Sequence, residues 1–143
     1  MKRTNVYIDG YNLYYGLLKG TSDKWLDLSC LVRGLLASDH EIDTIYYFTS
    51  IITPYPHDAA LNLADSFVIL TGDSDQIGTV LSIRKDFGKQ VLVFNPRESN
   101  SLELKMAATF YRSIPRDLPA RCQFPAEIQT GKNDKVIRRP SGW

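Results

Sequence analysis

The sequence predicts an α/β fold built on a mainly parallel sheet, and three observations carry that expectation. Apolar, β-branched runs alternate along the chain with segments whose apolar residues recur at helical spacing. Two of those runs, "SFVILTG" at 66–72 and "QVLVFNP" at 90–96, are apolar without a polar alternation, as strands covered on both faces are. The runs also stop at Asp, Gly or Pro, residues that end strands rather than extend them.

Val6 to Ile8 is expected as a short first strand, and Tyr11 to Leu18 as a helix presenting Leu13, Tyr14, Leu17 and Leu18 on one side. Gly20 with "TSD" ends that helix. A second helix is expected over Leu26 to Leu36, started by Asp27 or Ser22. "DTIYYFTSI" at 43–51 supplies a second strand, the 66–72 run a third, and "SDQIGTVLSIRKDFG" a helix ending at Gly88. The 90–96 run is a further strand, stopped by Pro96, and Leu102 to Arg112 a further helix. From Pro115 the prolines and scattered charges suggest extended segments packed on the rest, so 1–143 is expected as one domain with 115–143 its tail. The segment "ITPYPHDAALNLAD" at 52–65 is minimal for a parallel crossover, which must fit a helix into a dozen or more residues: its two prolines leave Asp58 to Ala64 for two turns at most, so either the crossover is minimal or a piece of chain is missing there.

Totals restrict function little. The 17 basic and 16 acidic side chains leave a formal charge of +1, so any polyanion site must be local. Cys30 and Cys122 are too few for a disulfide scaffold and have no zinc spacing; they are expected as reduced thiols. The basic "MKRT" start runs into Asp9 too early for a signal peptide, and no window approaches the roughly 18 uncharged residues of a membrane span. A cytoplasmic protein without a membrane partner is the expectation.

The informative residues are acids at strand ends. In a parallel sheet all strands end on one edge, where ligands bind if the strand order reverses. Asp9 follows the first strand, Asp73 follows the third, and Asp75 opens the next helix, so the three meet if those strands are neighbours. Carboxylates held together repel unless protons or a cation intervene, and an all-oxygen set selects Mg²⁺ or Mn²⁺. Asn12, one turn into the first helix, is placed to orient water or phosphate. Taken alone, "GDSD" is more often a cap than a metal site, with Ser74 or Asp73 accepting helix amides and Asp75 favoured by the helix dipole.

The stretches "VYIDGYNLYYG" and "FVILTGDSDQIGTVLSIRKDFGKQVLVF" resemble the NYN domain, the LabA-like branch of the PIN-like nuclease superfamily. The first carries Asp9, Gly10 and Asn12 of that pattern, the second Thr71, Gly72, Asp73, Ser74 and Asp75. The likeness spans about 4–112, and the closing "IRRPSGW" looks like the tail of one bacterial subgroup. It implies a PIN-like (Rossmann-like) three-layer α/β/α sandwich, Mg²⁺ or Mn²⁺ on the acids, and hydrolysis of RNA. The chain departs from the family where a Lys-Gly-x-Asp element usually supplies another metal-binding acid; only "HDAALNLAD" stands there, and Asp58 is the nearest counterpart.

Weaker features complete the picture. Tyr11, Tyr14 and Tyr15 suit base stacking as well as helix packing. Arg84, Lys85 and Lys89 are candidate RNA-backbone contacts, though cations also suit a helix C-terminus. Arg97, Lys105, Lys132, Lys135, Arg138 and Arg139 extend a basic rim or are solvated. His40 and His57 have no triad spacing. Two readings therefore stand: a metal-dependent ribonuclease using Asp9, Asn12, Asp73 and Asp75, or a non-catalytic RNA-binding or protein-interaction module with an incomplete acidic set. A phosphoacceptor receiver domain would need paired acids after the first strand, where Gly10 follows Asp9. A homodimer is left open.

Overall fold

The computed structural model describes residues 1–49, 63–131 and 135–143. Its centre is a five-stranded, all-parallel sheet in the order β2-β1-β3-β4-β5, from β1 (Lys2–Asp9), β2 (His40–Phe48), β3 (Ser66–Leu70), β4 (Gln90–Asn95) and β5 (Phe110–Ser113). Helices α1 (Gly10–Leu13, continued by a π turn over Tyr14–Leu18), α2 (Leu28–Leu35), α3 (Ile77–Lys85), α4 (Leu102–Ala107) and α5 (Leu118–Arg121) complete an α/β fold consistent with a three-layer sandwich.

Side chains alternate across a strand, so each buried run feeds both layers. Val6, Ile8, Val68 and Leu70 pack with Leu13, Leu31, Phe94 and Leu118 on one face. Tyr7, Phe67, Ile69, Val91 and Val93 pack with Val80, Ile83 and Leu104 on the other. This two-sided burial is why the 66–72 and 90–96 runs show no polar alternation. Asp27 is the cap of α2, its Oδ1 accepting the Ser29 and Cys30 amides at 2.9 and 3.1 Å. Gly88, after α3, takes φ +63°, a conformation that costs other residues strain.

Two expectations are corrected. The helix foreseen over Leu102 to Arg112 stops at Ala107, and the chain turns into β5 beside β4. Thr109, Phe110 and Tyr111 favour a strand, and Arg84 Nη1 donates to the Met106, Ala107 and Ala108 carbonyls at 3.2, 2.7 and 3.1 Å, satisfying the helix end. The tail forms α5 and a hairpin of the extended strands β6 (Glu127–Gln129) and β7 (Val136–Arg138). Trp25 meets the tail through Phe124 and Trp143 and donates Nε1–H to the Pro125 carbonyl at 2.8 Å. Finally, Cys30 and Cys122 are not separate thiols but a disulfide joining α2 to the residue after α5, with Cα atoms 5.3 Å apart. The doubtful crossover lies largely outside the described residues, as do Asp58, His57 and Lys132.

Candidate functional site

Chain order explains where the site forms. From β1 the chain passes to β2 on one side and then to β3 on the other, so the order reverses between β1 and β3. At such a reversal the loops leaving the carboxyl ends part and leave a crevice.

Asp9, the last residue of β1, points its carboxylate into the start of α1 rather than into solvent. Oδ1 accepts the Asn12 amide at 2.9 Å, and Oδ2 accepts both the Asn12 side-chain amide and, at 3.3 Å, the Thr71 hydroxyl. Asp9 is 9% exposed, and Thr71 is fully buried at the end of β3. The Thr71 oxygen in turn accepts the Asp73 amide at 3.1 Å, and Asp73 Oδ1 accepts the Asp75 amide at 3.1 Å. A continuous chain of hydrogen bonds thus runs from Asn12 through Asp9 and Thr71 to Asp73 and the Asp75 backbone. Asp73 caps the turn after β3, as foreseen for "GDSD", and Asp9 caps α1 in the same way.

Three further residues belong to this edge. Tyr47, in β2, lies against Gly10, and burial, with the nearby Asp9 charge second, raises its phenol above the usual tyrosine range. Asn95, fully buried at the end of β4, donates to the Ser99 carbonyl and the Tyr111 hydroxyl at 2.7 and 2.8 Å and accepts the Arg97 amide at 2.8 Å. Arg97 packs its aliphatic stem beside Gly72 and Gly16. Tyr47 and Asn95 were missed in the sequence, and Arg97 was submerged among six basic residues. A signal for Asn95 existed: a polar residue closing a buried strand, the criterion that singled out Asp9.

The sequence-nominated residues separate into groups. Asp9, Asn12 and Asp73 are brought together through Thr71. Asp75 follows within the same turn but is exposed. Among the described residues no three His, Cys, Asp or Glu side chains are grouped closely enough to hold a metal ion. Arg84, Lys85 and Lys89 lie elsewhere: α3 leaves the carboxyl edge after β3 and returns to the amino edge before β4, so its last residues sit across the sheet from Asp9. Arg84 is moreover occupied as the helix cap described above. The aromatic trio is exposed, Tyr11 by 58% and Tyr15 by 48%, with ring centroids 4.4 Å apart. A cavity of about 550 Å³ bordered by Leu36, His40, Leu92 and Phe110 is remote from the acids and lacks converging carboxylates.

The oxygens left over decide the fit to a hard cation. Asn12 Oδ1 is buried, adjoins Asp9 and has no hydrogen-bond partner. An unmet buried oxygen costs about 1–3 kcal/mol unless something satisfies it. Two carboxylates and one amide oxygen suit an Mg²⁺ that keeps most of its waters and is held by one or two carboxylates together with substrate, rather than an all-protein cage.

No family model matches the chain. A relative, 6-hydroxy-3-succinoylpyridine 3-monooxygenase HspA of Pseudomonas putida (strain DSM 28022 / S16), is 73% identical over 26 residues, 18% of this chain and only 8% of that protein's length. Among solved structures, a protein of unknown function from Vibrio parahaemolyticus is similar over 81% of this chain and 94% of its own, with 17% identity and a TM-score of 0.47. The first match is too short, and the second too distant, to assign a family or an activity.

Proposed function

We propose that the chain is a metal-dependent phosphodiesterase of the NYN type, acting on RNA in the cytoplasm. The observation that carries the reading is the bonded series Asp9, Thr71, Asp73 at the strand-order reversal, with the unmet Asn12 Oδ1 beside it. Asp9 and Asp73 would hold Mg²⁺ or Mn²⁺, with Asp75 reached through water; when bound, the ion would supply a water of lowered pKa and neutralise charge on the phosphorus oxygens. The protein's own part is positioning. Asn12 and Thr71 fix the Asp9 carboxylate, so its remaining lone pairs face one direction without reorganisation. Asn12 Oδ1 would accept a hydrogen bond from a water or 2′-hydroxyl entering the crevice. The raised Tyr47 phenol stays protonated and can serve as a donor at the same edge.

The test is incubation of the full chain with labelled single-stranded RNA and Mn²⁺: cleavage is expected, and Asp73→Asn should abolish it. The binding-module reading is favoured by one observation, the ungrouped third acid; RNA binding without metal-dependent cleavage would replace the enzyme with that module. The compartment has its own check. A disulfide is uncommon in reducing compartments, so the redox state of Cys30 and Cys122 in alkylated cell lysate should be mixed or reduced if the protein is cytoplasmic.

A further inference from the structure

Arg97 differs from the other basic residues in how it is held. Its stem crosses between two glycines: a Cβ on Gly72 would come within 3.1 Å of Arg97 Cδ, and one on Gly16 within 3.0 Å of Arg97 Cγ. Gly72 follows β3, two residues after its last strand position, and Gly16 lies in the π turn after α1, so the arginine fills the seam between the two segments that flank the crevice. Its backbone is fixed as well, since the Arg97 amide donates to the fully buried Asn95, itself anchored on Tyr111.

The charge, in contrast, is uncommitted. Glu98, the acid beside it in sequence, pairs with Arg116 at 3.1 Å, and Arg116 also donates to the Gly16 carbonyl. Among the described residues the Arg97 guanidinium makes no hydrogen bond or ion pair. An unpaired guanidinium on a stem held between Gly16 and Gly72, at the edge where α/β sheets bind ligands, is the planar, bidentate partner that phosphate oxygens require.

We propose that Arg97 is the phosphate-holding cation of this crevice, and that its ligand is a phosphodiester of single-stranded RNA. Glu98 is drawn off by Arg116 so that Arg97 stays available, and the two glycines leave room for its stem. The RNA assignment rests on the phosphodiesterase reading; the phosphate clamp does not require cleavage.

The experiment separates the two. Binding of a fluorescein-labelled, 2′-O-methylated single-stranded RNA to the full chain is measured in EDTA over a range of salt, for wild type, Arg97→Gln and Arg97→Lys, each checked for an unchanged urea midpoint. Arg97→Gln should weaken binding about tenfold and make the log K against log salt slope shallower by about 0.7, one phosphate on a single strand. Arg97→Lys should keep the slope and lose part of the affinity, because it keeps the charge and loses the fork. Inorganic phosphate at millimolar concentration should compete with wild type and not with Arg97→Gln; competition as strong as that of the RNA itself would make the ligand a free phosphate. No RNA binding by wild type, or equal affinity and slope in Arg97→Gln, overturns the proposal. So does loss of slope in Lys85→Gln instead, which would put the polyanion on the opposite edge. Cleavage that survives Arg97→Gln with unchanged binding leaves the enzyme reading and removes the clamp; a clamp with no Asp73-dependent cleavage does the reverse.

Discussion

Thr71 donates its hydroxyl to the Asp9 carboxylate at 3.3 Å while the same oxygen accepts the Asp73 amide at 3.1 Å, so one side chain ties the ends of β1 and β3 across 62 positions of sequence. Thr71→Val preserves the shape and removes both bonds. It leaves the Asp73 amide without this acceptor and is expected to destabilise the fold by about 1–3 kcal/mol. Thr71→Ser, which loses only a methyl, should cost about 1 kcal/mol or less. Urea unfolding measures both, and a Thr71→Val chain as stable as wild type would show that the bridge contributes nothing.

Gly10 is constrained from two sides. A Cβ there would lie 2.5 Å from Tyr47 Cζ and 2.7 Å from the Phe48 carbonyl oxygen. The ring could be trimmed away, but the carbonyl belongs to β2 and cannot move without disturbing its pairing with β1. Gly10→Ala should therefore cost about 1–3 kcal/mol as an overpacked site, and Gly10→Ala with Tyr47→Ala should not return to the stability of Tyr47→Ala alone. Thermal or urea unfolding of the set decides it.

The Tyr47 phenol is raised first by burial and then by the Asp9 charge. A phenol whose folded pKa lies above its unfolded value favours the native state at neutral pH, and that contribution is lost as pH rises through the folded pKa. Asp9→Asn removes one of the two causes, so absorbance titration should show Tyr47 ionising at lower pH in that variant. Tyr7, enclosed in the second core and pushed up to about 12, should titrate late in both. If Asp9→Asn leaves the Tyr47 titration unmoved, the two groups are not electrostatically coupled.

The Cys30–Cys122 bond closes a loop over a sequence separation of 92. A cross-link of that span is expected to stabilise by about 2–4 kcal/mol, chiefly by restricting the unfolded chain. Adding dithiothreitol, or making Cys122→Ser, should lower the urea midpoint accordingly. Intact mass before and after reduction checks the bond itself through the gain of two hydrogens.

Much of this architecture was legible because buried parallel strands write themselves as unbroken apolar runs. Val68 to Leu70 and Val91 to Phe94 could be placed from sequence, and so could the acids that end their neighbours. What stayed hidden depended on distance in sequence. Phe110 continues a helical pattern locally, and only the partner β4 shows that it belongs to a strand. The Cys30–Cys122 contact and the Arg97 position between Gly16 and Gly72 likewise follow from the return of distant chain. Arg84 looked like a nucleic-acid contact because composition cannot reveal that its guanidinium is spent on the carbonyls of α4. Asp9 and Asp73 were found by their strand-end position, and capping was foreseen at Asp73; the Thr71 bridge that joins the two needed coordinates.

His40 offers a pH test at the opposite edge of the sheet. Its side chain is 6% exposed, and Nδ1 lies 2.9 Å from the Thr4 hydroxyl and 3.3 Å from that of Ser66. Those hydroxyls are 2.8 Å apart and carry no charge to offset an imidazolium. Of the charged neighbours, Asp39 stands 3.8 Å from Nε2 and favours protonation, whereas Lys2 opposes it. Burial outweighs Asp39, so the imidazole pKa falls below its usual 6.5. Because the unfolded chain then binds the proton more readily than the native one, this group's stabilising effect is complete above about pH 6.5 and declines as pH drops toward the folded pKa. Urea midpoints should therefore fall between about pH 7.5 and pH 5.5 more steeply for wild type than for His40→Gln, which cannot take the proton. An imidazole NMR titration with its midpoint at or above 6.5 would mean that Asp39, not the enclosure, sets the balance.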